Sequence, residues 1–214
     1  SWFTYTCFFR TIIWAMCFEI VGLGCGSGPL TGRYWPPIGG FRYFLRVGMI
    51  RLPLFGASKL YTRTWYDVTL YAVFIASILW GLCTPEVDPR NAPVLVTLLT
   101  LMTLRDKTLF LAARGEHYWV MLMCFAVTDH WFAGIVLVQL AIWLWAAISK
   151  CTVHFPFVVT VMTSNAPWQW LSKIRLRMYR QYPSDLRPSA VASHLSKLGT
   201  VVEIAFPLML IMSD

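Results

Sequence analysis

Long apolar stretches alternate along the chain with shorter polar ones that are rich in Arg and Lys. Five of the apolar stretches, residues 6–24, 68–83, 92–104, 108–127 and 131–148, read as membrane spans, and a sixth, 199–212, reads as a partial one. They are rich in Leu, Val, Ile, Trp and Ala and show no period-2 alternation, so they predict helices rather than barrel strands. A span needs about 20 residues to cross a hydrocarbon core of about 30 Å. The stretch 92–104 is short on that measure. It is expected either to continue to about Phe110 or to lie buried among the other helices. No initiator Met heads the chain and the last apolar run stops near Met212. Both features predict a fragment, or the ordered part, of a longer protein.

The two long connections, 25–66 and 149–198, carry pattern of their own. Phe41, Leu45, Gly48, Met49 and Leu52 recur at helical spacing, with Arg42, Arg46 and Arg51 elsewhere on the wheel and Pro53 closing the run. This predicts a short amphipathic helix in the plane of the headgroups. Residues 173–180 (KIRLRMYR) alternate basic and apolar side chains and read as a second interfacial segment. Arg33, Arg42, Arg46, Arg51, Lys173, Arg175, Arg177 and Arg180 are therefore candidate ligands for anionic lipid headgroups. The plainer alternative makes both stretches simple orientation anchors. Residues 154–165 are apolar but too short to cross, with Pro156 at entry and Pro167 beyond the exit. They read as a membrane-dipping segment or an ordinary interfacial helix.

Composition narrows the class. Of 214 residues, 57% are hydrophobic and only 13% charged, with a mean hydropathy of +0.59. A soluble domain carries about 25% charged residues, so this chain lacks the polar surface to cover itself. Its many aromatic residues exclude disorder. What remains is an all-α polytopic membrane protein forming a single helical domain over 1–214. The net charge of +8 reports orientation before it reports nucleic acid, which is not an expected partner. Fifteen of the eighteen basic residues fall in alternate connections, one falls in the intervening ones, and Arg10 and Arg114 lie within spans. By the positive-inside rule the basic connections face the cytoplasmic-type side and the N-terminal residues face the other. The six cysteines form no C-x-x-C pair and no metal spacing, so they read as buried thiols and no metal site is expected.

Ionisable groups inside spans are costly in hydrocarbon and must be paired or wet. Arg10 and Glu19 are nine residues apart, on opposite faces of the first span, and so do not pair with each other. Arg10 lies near the outer end, where it can snorkel. Glu19, Arg114, Glu116, His117 and Glu203 are the candidates for one polar pocket serving as a proton relay, an acid/base pair or a headgroup clamp. The plainer alternative is a set of ion pairs that fix helix packing. His117 and His154 are the positions where a pigment, haem or quinone contact is conceivable, although nothing in the sequence requires a cofactor. His130 and His194 read as solvated or interfacial. The glycine-rich run 22–28 follows a membrane helix, lacks a Gly-Lys-Ser/Thr ending and is interrupted by Pro29, so it reads as a helix exit and not a phosphate loop. No G-x-S-x-G elbow is present.

Four blocks carry a resemblance: GCGSGPLTGRYWPPIGGFRYFLR (24–46), LRDKTLFLAARGEHYWV (104–120), HFPFVVTVMTSNAPW (154–168) and YPSDLRPS (182–189). With them the chain resembles a family of uncharacterised multi-pass bacterial transmembrane proteins, common in actinomycetes. The resemblance covers most of the chain and implies a polytopic fold and a longer parent protein. It implies no activity and no catalytic residues.

Two functions are expected from these features. The first is an accessory or scaffold subunit that packs with other membrane subunits in a larger assembly. The second is a membrane enzyme or carrier for a lipid or isoprenoid, built on the Arg/Glu/His cluster. The absence of a complete catalytic motif favours the first.

Overall fold

The computed structural model describes residues 4–23, 39–55, 61–164 and 176–212. The chain is mostly helical. The contacts group into two compact units, Ser1–Val138 and Gln139–Asp214.

The first unit is built on α1 (Tyr5–Ile20), which starts where the Thr4 hydroxyl accepts the Cys7 amide at 3.3 Å. Phe9, Ile12, Ile13, Met16 and Ile20 recur every three or four residues and form its buried stripe. The helix stops short of residue 24, the expected end of the span. Gly22 turns left-handed at φ +100°, and the amides of Gly22 and Leu23 close on the carbonyls of Glu19 and Phe18, each at 3.0 Å. This closure demands a residue that tolerates positive φ.

The amphipathic helix expected over 41–52 is not formed. Only α2 (Gly39–Phe44) is helical. Gly48 turns at φ +82°, and the following residues run antiparallel to 61–63. Arg51 donates its amide to the Tyr61 carbonyl at 2.8 Å, and Ile50 bridges Thr62. Backbone pairing with a distant segment thus overrides the local helical pattern.

Helix α3 (Trp65–Cys83) packs antiparallel to α1, with α4 (Asn91–Arg105) beside it. Tyr71, Phe74, Ile78, Leu95 and Leu99 fill the space between them. Gly81 lets α1 approach, since a Cβ there would stand 3.0 Å from Ile13 Cδ1. Arg10 donates to the last carbonyls of this region, those of Thr84 and Pro85. It therefore closes a helix end.

Helix α4 is apolar but only 15 residues long, and it stops at Arg105 without continuing to Phe110. The stretch 108–127, expected as one span, is two helices, α5 (Thr108–Ala113) and α6 (Gly115–Val127). Between them Arg114 sits at φ +50°, which ends one helix and begins the next. Tyr5, Phe9, Phe125 and Trp131 form an aromatic cluster where the ends of α1, α6 and α7 (Trp131–Lys150) meet.

Helix α7 runs across the boundary at residue 138. In the second unit it is followed by α8 (Phe155–Ser164), the ten-residue form taken by the apolar stretch 154–165. A hairpin of β1 (Tyr179–Gln181) and β2 (Asp185–Pro188) then leads into α9 (Ala190–Met212). The partial sixth span is thus the second half of a 23-residue helix that begins nine residues before Gly199. Its start is fixed by Ser189, whose hydroxyl accepts the Ala192 amide at 3.3 Å and donates to the Arg177 carbonyl at 2.6 Å.

In the hairpin, two Arg187 side-chain nitrogens and the Arg187 amide hold the Asp185 carboxylate, with Nη2 at 2.7 Å. These hydrogen bonds lower the Asp185 pKa from the usual carboxylate range to about 2. Because the folded value lies below the unfolded one, the stabilisation is complete above pH 3.8 and is lost as pH falls through about 2. The Asp185 carboxyl carbon, followed by NMR, should accordingly titrate near pH 2. A midpoint near 3.8 would show the pairing to be absent in solution.

Among the described residues, α3, α7 and α9 are long and apolar enough to cross a membrane, at 19, 20 and 23 residues. At a rise of 1.5 Å per residue they span about 28–35 Å, close to the thickness of a hydrocarbon core.

Candidate functional site

Charged side chains of the first unit gather in two places. The first lies at the ends of α3, α4 and α5. Thr64 precedes α3, and Asp67, three residues later, accepts its amide and its hydroxyl, each at 2.8 Å. This helix-start pairing aims the second carboxylate oxygen inward. That oxygen accepts Arg105 Nε at 2.7 Å and Arg51 Nη1 at 3.1 Å. Beside it, Asp106 accepts Arg63 Nη2 at 2.7 Å and the amides of Leu52 and Thr108 at 3.3 and 3.1 Å. Arg63 also donates to the Tyr43 carbonyl, and its guanidinium lies 4.3 Å from the Tyr43 ring centroid. Arg51 and Arg63 are each only 2% exposed. Three arginines and two aspartates therefore form a largely buried cluster, with Arg105 at its edge, that ties residues 43–52 and 61–64 to the helix ends. Charge buried in this way holds geometry, because removing one member strands the others.

The second place lies on α1, α5 and α6. Glu19 Oε1 is 3.5 Å from Arg114 Nη1, and the Tyr118 side chain hydrogen-bonds Glu19. Glu116 Oε1 is 3.6 Å from His117 Nε2, while Glu116 Oε2 is buried without a hydrogen-bond partner. One turn further, Trp119 donates its indole N–H to Thr100 on α4 at 2.8 Å. The cluster is formed at its edge and not enclosed. Glu19 is 13% exposed, against 37% for His117, 45% for Glu116 and 67% for Arg114.

Four of the five candidates for a polar pocket are thus neighbours in one unit. Glu203 belongs to the other unit, where it pairs with Lys150, and Lys150 also lies 5.6 Å from the Phe155 ring centroid. His154 is exposed just before α8, and His130 and His194 are exposed as well. Among the candidate headgroup ligands, Arg42, Arg46, Arg177 and Arg180 are exposed. Arg51 is not available for that role, because it is buried against Asp67. Arg33, Lys173, Arg175 and the run 24–28 lie outside the described residues.

Sequence reasoning missed Asp67 and the pairing of Asp106 with Arg63. Two local signals were present. Thr64-x-x-Asp67 is a helix-start pattern, and Arg105-Asp106-Lys107 interrupts two apolar runs. Their partners, Arg51 and Arg63, come from a connection whose path no local pattern reveals.

A shallow groove of about 300 Å³ also opens between α3 and α4, walled mainly by Val73, Ala76, Trp80, Val94 and Leu95. Its walls offer Ser77 and Asn91 as polar groups and no charge, so it is not the site the clustered charges would serve.

No curated protein and no solved structure matches the chain. The family described as "transmembrane protein of unknown function (DUF3556)" matches residues 1–214, which agrees with the long apolar helices and the charges paired between them; the chain belongs to this family.

Proposed function

We propose that this membrane protein is an accessory or scaffold subunit that packs within a larger membrane assembly. In this reading α1, α3, α4, the broken pair α5–α6, α7 and α9 cross in alternating directions. Arg42, Arg46, Lys107 and the basic hairpin face the cytoplasmic-type side, where exposed arginines meet anionic headgroups. The N-terminal residues then lie on the opposite side.

One observation carries the reading: several ionisable side chains within the apolar helices lie beside partners of their own chain. Glu19 is held by Arg114 and Tyr118, Glu116 faces His117, and Lys150 meets Glu203. An enzyme or carrier for a lipid substrate needs those groups to line a cavity open to the bilayer. The groove between α3 and α4 has none of them in its walls.

Purification of the intact protein from native membranes in mild detergent tests the proposal. Native mass spectrometry should find the chain in a complex of fixed stoichiometry that survives high salt. A monodisperse particle containing only a single copy would overturn it.

A further inference from the structure

The hairpin before α9 holds charges that neither the start of α9 nor its own ion pair uses. Met178 anchors it in the interior, while Leu176, Arg177, Arg180, Tyr182 and Leu186 are exposed. Residues 176–189 carry three arginines against one aspartate. That aspartate is spent locally, because Arg187 Nε and Nη2 hold the Asp185 carboxylate at 2.9 and 2.7 Å. Arg177 and Arg180 form no ion pair among the described residues. The level of these side chains is set by α9. Ser189 Oγ donates to the Arg177 carbonyl at 2.6 Å, and the Ser189 amide donates to the Met178 carbonyl at 2.8 Å. Arg177 therefore stands beside the first turn of a 23-residue helix apolar enough to cross a membrane. Helix α8 packs on both α9 and β2, carries no charged residue, and exposes Phe157, Val158, Val161 and Met162. Such a face suits hydrocarbon and is costly in water. The hairpin thus ends an apolar helix pair with basic side chains.

We propose that this hairpin is a wedge for anionic phospholipid. The Arg177 and Arg180 guanidinium groups bind lipid phosphates, and Tyr182 and Leu186 seat between the headgroups. The proposal rests on the orientation given above, in which the hairpin faces the cytoplasmic-type side, and it names which residues take the lipid. Charge complementarity selects the ligand, since the one acid of the hairpin is already neutralised and two guanidinium groups remain. A guanidinium holds a phosphate through paired N–H donors, and a tyrosine ring favours the headgroup level. Each arginine at an anionic surface strengthens binding about fivefold. Arg187 adds nothing to this, because Asp185 cancels its charge.

Hydrogen–deuterium exchange of the whole chain in lipid nanodiscs tests this. Two discs are compared, one of phosphatidylcholine and one in which phosphatidylglycerol replaces part of it. The hairpin amides should exchange about tenfold more slowly in the anionic disc. The difference should vanish in about 1 M salt, where the Debye length falls to about 3 Å. R177Q/R180Q should reduce it to within about twofold. D185N/R187Q removes the ion pair at unchanged net charge and should keep it. Each variant is read as the ratio between its two discs, so a change in the hairpin's own stability cancels. A double variant whose hairpin is unprotected even in phosphatidylcholine is replaced by R177Q and R180Q singly, each expected to lower the ratio several-fold.

Equal exchange of the wild type in the two discs, a difference that resists salt, or an undiminished difference in R177Q/R180Q would each overturn the proposal. Loss of the difference in a folded D185N/R187Q would overturn the assignment to Arg177 and Arg180. Protection that appears in the native complex and in neither disc would make the hairpin a protein contact and overturn it as well. A hairpin indifferent to lipid charge in a chain that still purifies in a stoichiometric complex leaves the packing-subunit reading standing, and only the lipid wedge falls.

Discussion

Replacing Asp67 with Ala should destabilise the protein by about 3–5 kcal/mol, the usual cost of removing one partner from a buried ion pair. Asp67 accepts Arg51, Arg105 and both polar hydrogens of Thr64. Its loss would leave the Arg51 guanidinium, 3% exposed, without its carboxylate in an interior that cannot solvate it. The start of α3 would lose its cap in the same step. D67N keeps one acceptor oxygen and should cost distinctly less than D67A. The measurement is reversible unfolding in mixed detergent micelles, followed by Trp fluorescence. A D67A variant as stable as wild type would show that the network is ornamental. The corresponding change at an exposed arginine, R46A, should stay within about 0.5 kcal/mol.

Replacing Gly40 with Ala should cost about 2–3 kcal/mol, at the upper end for an overpacked site. A Cβ at this position would overlap the Ile20 carbonyl and stand 2.7 Å from the Val21 carbonyl carbon. Both belong to backbone, which cannot rotate away as a side chain would. Relief would require α2 to lift from the end of α1. That would break the bond from the Gly40 amide to the Val21 carbonyl, now 3.0 Å, and unstack Phe44 from Tyr71, now 4.8 Å between ring centroids. Gly199 supplies the opposite expectation. It lies within α9 with open space around it, so G199A should gain about 0.5–1 kcal/mol from helix propensity alone. The pair is measured by the same unfolding titration. Equal effects at the two glycines would refute the packing argument.

The two positions illustrate what a local pattern contains. That the chain is built of apolar helices was legible, because burying or lipid-facing residues recur over long windows. The start of α3 at Thr64 and Asp67 was legible in principle as a helix-start signature. The end of α1 at Gly22 was legible as glycine, but the expected span ran two residues past it. The break at Arg114 was not, since arginine is a good helix former and nothing nearby marks it as left-handed. The helix predicted over 41–52 failed for a different reason. Its periodicity is genuine, but Met49 and Arg51 gain more by pairing with Tyr61 and Arg63 than by continuing a helix.

The candidate site divides in the same way. Glu19, Arg114, Glu116 and His117 stood out as ionisable groups within apolar runs, and the structure brings them together in one unit. Glu203 stood out equally and is engaged by Lys150 in the other. A cost in hydrocarbon marks a residue as needing a partner, but it carries no information about which residue supplies it.

Membership of a membrane, helical class and the concentration of basic residues in the long polar connections follow from the sequence by itself. They depend on sums over many side chains, and such sums survive ignorance of the path of the chain. The partners of Arg51, Arg63, Asp67 and Asp106, the junction at Arg114 and the close contact at Gly40 were decided only by tertiary structure. The ion pairs and the Gly40 contact join residues from different segments, where distances of about 3 Å select one partner among several, and the Arg114 junction is a backbone turn that a sum over side chains does not contain.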